Sequence, residues 1–215
     1  KASDLRPSVI VILSESFGDP TEIPGLAFDA DPVPTLHALQ RDFGRLDLVS
    51  PVFGGLTCNA ELEILTGLSM RFFPEPNAAW VDSATRPVPS LASILRARGY
   101  RALALHAIAG MHNSAQIQPL LGFEDCITPQ DWAFRDRIDG WRVSDDSATR
   151  EIIRRARELP RPWLLSVNTM EGHSPYDAAK YGGASCGIRF TKPFSPEAQE
   201  LLTAYAVGLN RADRA

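Results

Sequence analysis

Five apolar residues stand in unbroken succession at Val9-Ile10-Val11-Ile12-Leu13, just after Pro7. A mainly β-branched run with no polar alternation predicts a parallel strand buried on both faces. Tyr100 to Leu105 and Trp163 to Val167 read the same way. Between these runs the apolar spacing changes to threes and fours, the period of a helix packed on one side. Thr35 to Phe43 carries Leu36, Leu39 and Phe43, with Gly44 as a stop. Leu62, Leu65 and Leu68 surround a stop at Gly67. Ser90 caps a helix with Leu91, Ile94 and Leu95 that ends at Gly99. Ser144 opens another with Ile152, Ile153, Ala156 and Leu159, closed by Pro160. Ser195 and Pro196 start the last, lined by Leu201, Leu202, Tyr205 and Leu209. Arg45 to Val49 alternates Leu46 and Leu48 with charged residues and predicts one more strand.

Strands and helices therefore alternate. That order predicts an α/β fold, a three-layer sandwich with a largely parallel central sheet. The last helix runs to Ala215 without a stop and should return to a further strand. The expectation is a single partial domain over residues 1–215. The connections are Asp19 to Pro34, the irregular stretch Ala107 to Gln118, and the Gly-rich Asp177 to Pro193. Asp125 to Trp141 reads as a polar stretch anchored by Trp132 and Trp141. Met70 to Pro89 holds four prolines and is long for a connection, which marks it as a substrate-side loop candidate.

Composition narrows the function. The formal net charge is -4 and no Lys/Arg run is present, which argues against a nucleic-acid footprint. No apolar run reaches membrane-span length, and Lys1-Ala2-Ser3-Asp4 does not open a secretory signal. Cys58, Cys126 and Cys186 form no CxxC pair, which disfavours structural zinc; a Cys126–Cys186 disulfide is left open.

Candidate chemistry gathers at the carboxyl ends of the strands, where ligands collect in open α/β sheets. Glu15 follows the first strand directly; it is either a solvated loop acid or a hard oxygen ligand for a divalent ion. Gly54-Gly55-Leu56 precedes Thr57, and Asn59 reads as a helix N-cap with Glu61 and Glu63 in the first turn. Thr57 then lies just ahead of a helix start, where unpaired N–H groups favour anions, or is a plain loop residue. His106 ends the second strand and His173 follows the third. Either histidine alone reads as structural; two, with Glu15 and the diglycine turn, point to a site.

Val9 to Phe17, Ser50 to Glu63, Pro89 to Tyr100, His106, Leu121-Gly122-Phe123 and Asn168 to Tyr176 stand in an order that resembles the lipoteichoic acid synthase and phosphoglycerol transferase family. That family belongs to the sulfatase and alkaline phosphatase superfamily. The resemblance implies a manganese or magnesium site with Glu15 as ligand and Thr57 as both ligand and nucleophile. It implies that His173 contacts the substrate phosphate and that His106 lines the same pocket. The implied reaction moves a phosphoglycerol-type head group from an anionic phospholipid to a hydroxyl on a glycan or polymer. The implied setting is the outer face of a bacterial inner membrane, with membrane helices upstream of Lys1.

Two departures stand out. The family completes its metal site with an Asp-His pair after one more strand, which these residues do not include; the expectation is a chain that is inactive or binds metal weakly. Where the family often has an aromatic-Trp-Asn-Arg run, this sequence reads Ala109-Gly110-Met111-His112-Asn113-Ser114. His112 and Asn113 are the residues there that can substitute for the missing head-group contacts. Two other functions remain in view: a phosphodiesterase or sulfatase-type hydrolase, and a non-catalytic binder of head groups or glycans. Formylglycine sulfatases are disfavoured, because Cys58 is followed by Asn59-Ala60-Glu61-Leu62 and not by x-Pro-x-Arg.

Overall fold

The computed structural model describes residues 6–53, 55–73, 85–110, 114–177 and 179–215. The long proline-rich connection falls mostly outside them, as do Gly54, His112 and Asn113. The structure has two compact units. The first is drawn from the segments up to Leu13, Leu48–Ala133 and Glu151–Asn168. The second is drawn from Ser14–Asp47, Phe134–Arg150 and Thr169–Ala215.

The first unit holds a four-stranded sheet of β1 (Val9–Leu13), β2 (Arg101–His106), β3 (Asp125–Ile127) and β4 (Trp163–Asn168). The strand order is β1-β4-β2-β3 and every pairing is parallel. Leu13 is level with Asn168, and Asn168 with His106, so three strands finish along one carboxyl edge. Helices α2 (Thr57–Thr66), α3 (Leu91–Arg96) and α4 (Ser114–Leu120) belong to the same unit. Their buried Leu62, Leu65, Ala92 and Ile117 pack with Ala102, Ala104 and Leu164 of the strands. Ser90 and Ser93 form a reciprocal cap at the start of α3. Gly122 is required by crowding: it has φ +90°, and a side chain there would press on the Ser93 backbone.

The second unit holds α1 (Pro34–Phe43) and α6 (Pro196–Arg214). The N-terminal N–H groups of α1 have no cap from Val33. Asp213 of α6 supplies it, accepting from Thr35 N at 2.9 Å and Leu36 N at 2.8 Å. Asn210 donates to the Pro32 carbonyl at 2.9 Å beside it. The second unit also holds the first residues of α5 (Asp145–Glu158), whose remainder belongs to the first.

Several sequence expectations are corrected. Arg45 to Val49 forms no strand, and Leu46, Leu48 and Val49 are 91, 86 and 93 % exposed. Asn59 is not an N-cap: α2 begins at Thr57 and Asn59 is buried inside it. Glu61 consequently moves from the exposed first turn into the interior. Trp141 is half exposed, with the Arg142 guanidinium 4.7 Å from its ring centre, whereas Trp132 is buried. The polar stretch contains β3, a short strand whose sequence shows no strand pattern. None of the three cysteines is in a disulfide.

Candidate active site

Thr57 is the first residue of α2, and its placement follows from the residue before it. Leu56 adopts φ 65° and ψ 46°, the left-handed region, and offers no side chain to cap the helix. A branched residue there is strained, and such strain persists only where the surroundings impose it. Ser16, with φ 52°, is the other non-glycine residue with positive φ among the described residues. One strained turn thus immediately precedes Thr57, and the other immediately follows Glu15.

One turn after Thr57, on the same helix face, Glu61 is held by three donors from its own unit. Its Oε1 lies 2.8 Å from Gln118 Nε2 and 3.3 Å from His106 Nε2, and its Oε2 accepts from Asn168 Nδ2 at 3.0 Å. The carboxylate can only accept and calls for a proton on His106 Nε2, while Gln118 Nε2, a donor, lies 3.3 Å from the same nitrogen. Burial pushes the Glu61 carboxyl up, but the charge of His106 and the hydrogen bonds from His106, Gln118 and Asn168 outweigh it and hold it below the usual range. His106 and Asn168 are the last residues of β2 and β4. Glu61 therefore ties α2 to the carboxyl edge of the sheet and fixes where Thr57 stands. His106 is buried at this tie.

In the second unit, Glu15 and the segment after β4 meet directly. Gly172 sits against the Glu15 carbonyl so closely that a Cβ would overlap it. The Glu15 side chain accepts from Ser16 Oγ at 3.0 Å. His173 follows Gly172, and its loop is tied at several points. Asp145 accepts from Met170 N and Glu171 N, at 3.0 and 2.9 Å, and from the Thr169 hydroxyl at 2.9 Å. Burial lifts the Asp145 carboxyl above the usual range against those bonds. Buried Glu171 accepts from Asp145 N at 3.0 Å and from Arg211 Nε at 2.5 Å. Lys180 Nζ donates to the Glu171 and His173 carbonyls; burial, followed by the nearby charge of Arg142, lowers its pKa to about 8. Tyr181 also donates to the Glu171 carbonyl.

The model of the sulfatase family matches residues 7–215. The chain is a member of the sulfatase family. A "Putative cyclic beta-1,2-glucan modification protein" of Rhizobium meliloti is 36% identical over 209 residues, which is 97% of this chain and 32% of that protein. Among solved structures, the phosphoglycerol transferase GacH of Streptococcus pyogenes, in complex with sn-glycerol-1-phosphate, superposes with TM-score 0.76 and 22% identity, over 97% of this chain and 55% of that one. The lipoteichoic acid synthase LtaP of Listeria monocytogenes gives TM-score 0.71 and 19% identity, over 97% and 50%. These two likenesses establish a shared α/β fold. This sulfatase-family chain spans about a third of the length of the curated relative.

Of the residues singled out in the sequence, Thr57 and His106 belong to the first unit and Glu15 and His173 to the second. His112 and Asn113 lie outside the described residues. Glu15 and Thr57 are oxygen donors of the type manganese and magnesium take. They belong to different units, and among the described residues no three His, Cys, Asp or Glu side chains gather to hold a cation. Sequence reasoning missed Glu61, Gln118, Asn168 and the supports of the histidine loop. One signal was available for Glu61: it lies four residues after Thr57, the helical repeat. Arg142, Asp145 and Lys180 come from distant segments with no pattern to mark them.

Proposed function

We propose that this chain is part of a transferase that moves a phosphoglycerol-type head group from an anionic phospholipid to a glycan hydroxyl. The observation that carries the reading is the position of Thr57. It is the first residue of a helix, behind a strained left-handed turn at Leu56, and Glu61 holds the helix in place. The positive end of the helix dipole favours a phosphate at such a point. Membership of the sulfatase family supports the reading. So do a relative named for glucan modification and a structural neighbour that binds sn-glycerol-1-phosphate.

In this reading Thr57 Oγ1 bonds to the head-group phosphorus while the bond from phosphorus to the diacylglycerol oxygen breaks. The threonine gives up its proton, and the departing oxygen gains one. An acceptor hydroxyl then attacks the glycerophosphoryl-threonine and frees Thr57. His173 donates to a phosphoryl oxygen or to the departing oxygen. Manganese or magnesium belongs to the reading: Glu15 and Thr57 would be among its ligands, and the ion would lower the hydroxyl pKa and draw charge from the phosphoryl oxygens. The reading places the domain on the outer face of a bacterial inner membrane. No helix among the described residues is long and apolar enough to cross a membrane, so attachment would come from helices elsewhere in the protein.

The test is Thr57→Ala in the full-length protein, assayed for release of diacylglycerol from phosphatidylglycerol with manganese present. The expected outcome is loss of release to background. Unchanged turnover removes Thr57 from the mechanism.

A further inference from the structure

One tie on the histidine loop is a buried charge. Arg142 is 1 % exposed. Asp139 neutralises it, accepting from Nε at 2.6 Å. Its Nη1 is turned to the loop, 2.6 Å from the Ser174 carbonyl oxygen, 3.1 Å from the His173 carbonyl oxygen and 2.8 Å from His173 Nδ1. Nδ1 itself lies 2.6 Å from the Ser174 carbonyl oxygen.

This ring nitrogen therefore has two neighbours with opposite demands. The Ser174 carbonyl is an acceptor and calls for a proton on Nδ1. The guanidinium has donors and no acceptor, and calls for a lone pair there. The two are not balanced. The carbonyl already receives a hydrogen bond from Arg142 at the same length, so it does not depend on the ring. A proton on Nδ1 would set donor against donor at 2.8 Å, beside a fixed positive charge; a bare Nδ1 instead sets its lone pair against the carbonyl oxygen at 2.6 Å, a repulsion that the two N–H groups of Nη1 offset by donating one to each.

We propose that Arg142 is a positioning residue that keeps Nδ1 of His173 unprotonated, so that the ring proton resides on Nε2. The inference rests on the reading that His173 meets the substrate phosphate. A neutral ring with Nε2–H offers a donor to a phosphoryl oxygen or to the departing oxygen, and the opposite tautomer offers a lone pair to an atom already rich in electrons. Lys180 reinforces the arrangement, because its own bond to the His173 carbonyl relieves Arg142 of that acceptor.

The test is nitrogen-15 NMR of the His173 ring in the 215-residue chain at neutral pH, with the resonances assigned by comparison with His173→Gln. The expected result is a protonated Nε2 and a bare Nδ1. In Arg142→Gln the proton moves to Nδ1, bonded to the Ser174 carbonyl, and Arg142→Lys, which keeps a cationic donor, retains the wild-type pattern. A protonated Nδ1 in the wild type, or an unchanged pattern in Arg142→Gln, overturns the proposal. Should Arg142→Gln fail to fold because Asp139 loses its counter-charge, Asp139→Asn with Arg142→Gln removes both charges and gives the same reading. The measurement locates a proton and does not depend on turnover. An error in the role of His173 shows separately, as full head-group release by His173→Gln in the full-length protein.

Discussion

Glu61 shows how a single acid can decide where a reactive residue sits. Its carboxylate is the common acceptor for His106, Gln118 and Asn168. Glu61→Ala leaves those donors buried without an acceptor. The expected cost is about 3–5 kcal/mol, the range for breaking a buried charged network by removing one partner. Urea unfolding near neutral pH measures it, and a cost within error of zero contradicts the network. Because the folded-state pKa of Glu61 is depressed, its contribution is present above the unfolded value near 4.5 and is lost as pH falls through the folded value. His37 supplies the opposite sign. Hydrogen bonds to Asp31 and then to Asp19, each accepting from one ring nitrogen at 2.8 Å, raise its pKa above 6.5. Its stabilisation is present below 6.5 and is lost as pH rises through the raised folded value. The difference in thermal midpoint between wild type and His37→Gln is expected to shrink between about pH 6 and pH 8. A difference that does not change over that range contradicts the double pairing.

At the scale of elements, the long apolar strands were legible because a β-branched run has few alternatives, but the expected burial of the first on both faces is corrected: β1 lies at the edge of the sheet and leaves Ile10 and Ile12 43 and 56 % exposed. Arg45 to Val49 shows the limit of that reasoning. Alternation states which side chains share a face, but a strand also needs a neighbour for its backbone groups, and none pairs with this segment among the described residues. The short β3 is the converse: its sequence carries no strand signal, yet it forms because Leu103 to Leu105 of β2 offers a partner in register. The start of α2 was misplaced for a related reason. Asn59 is a good cap by residue type, but the strained turn at Leu56 starts the helix earlier and carries Asn59 into the interior. The cap of α1 could not be read locally at all, since Asp213 lies 177 and 178 positions from the amides it serves. Asp213→Ala is expected to lower the stability of the chain by about 1–2 kcal/mol, as loss of a side-chain helix cap does. Chemical denaturation tests this, and an unchanged midpoint shows that α1 does not depend on α6 for its start.

For the whole molecule, the sequence made the α/β class and the family resemblance visible, and the match of the sulfatase family to residues 7–215 agrees with both. The candidate site was legible only in part. Thr57, Glu15, His106 and His173 could be named because they follow apolar runs or lie in recognisable segments. Their supports could not, because Gln118 reaches Glu61 in the first unit, and Arg142, Asp145 and Lys180 reach the histidine loop in the second, by folding and not by spacing. The account turns on Thr57 as the residue that accepts the head group. The most direct measurement is mass spectrometry of the full-length protein after rapid quenching with phosphatidylglycerol and manganese. The account expects a glycerophosphoryl group on the peptide that contains Thr57, present in wild type and missing in Thr57→Ala. Continued turnover with that peptide unmodified, or the same group trapped on another side chain, would contradict it.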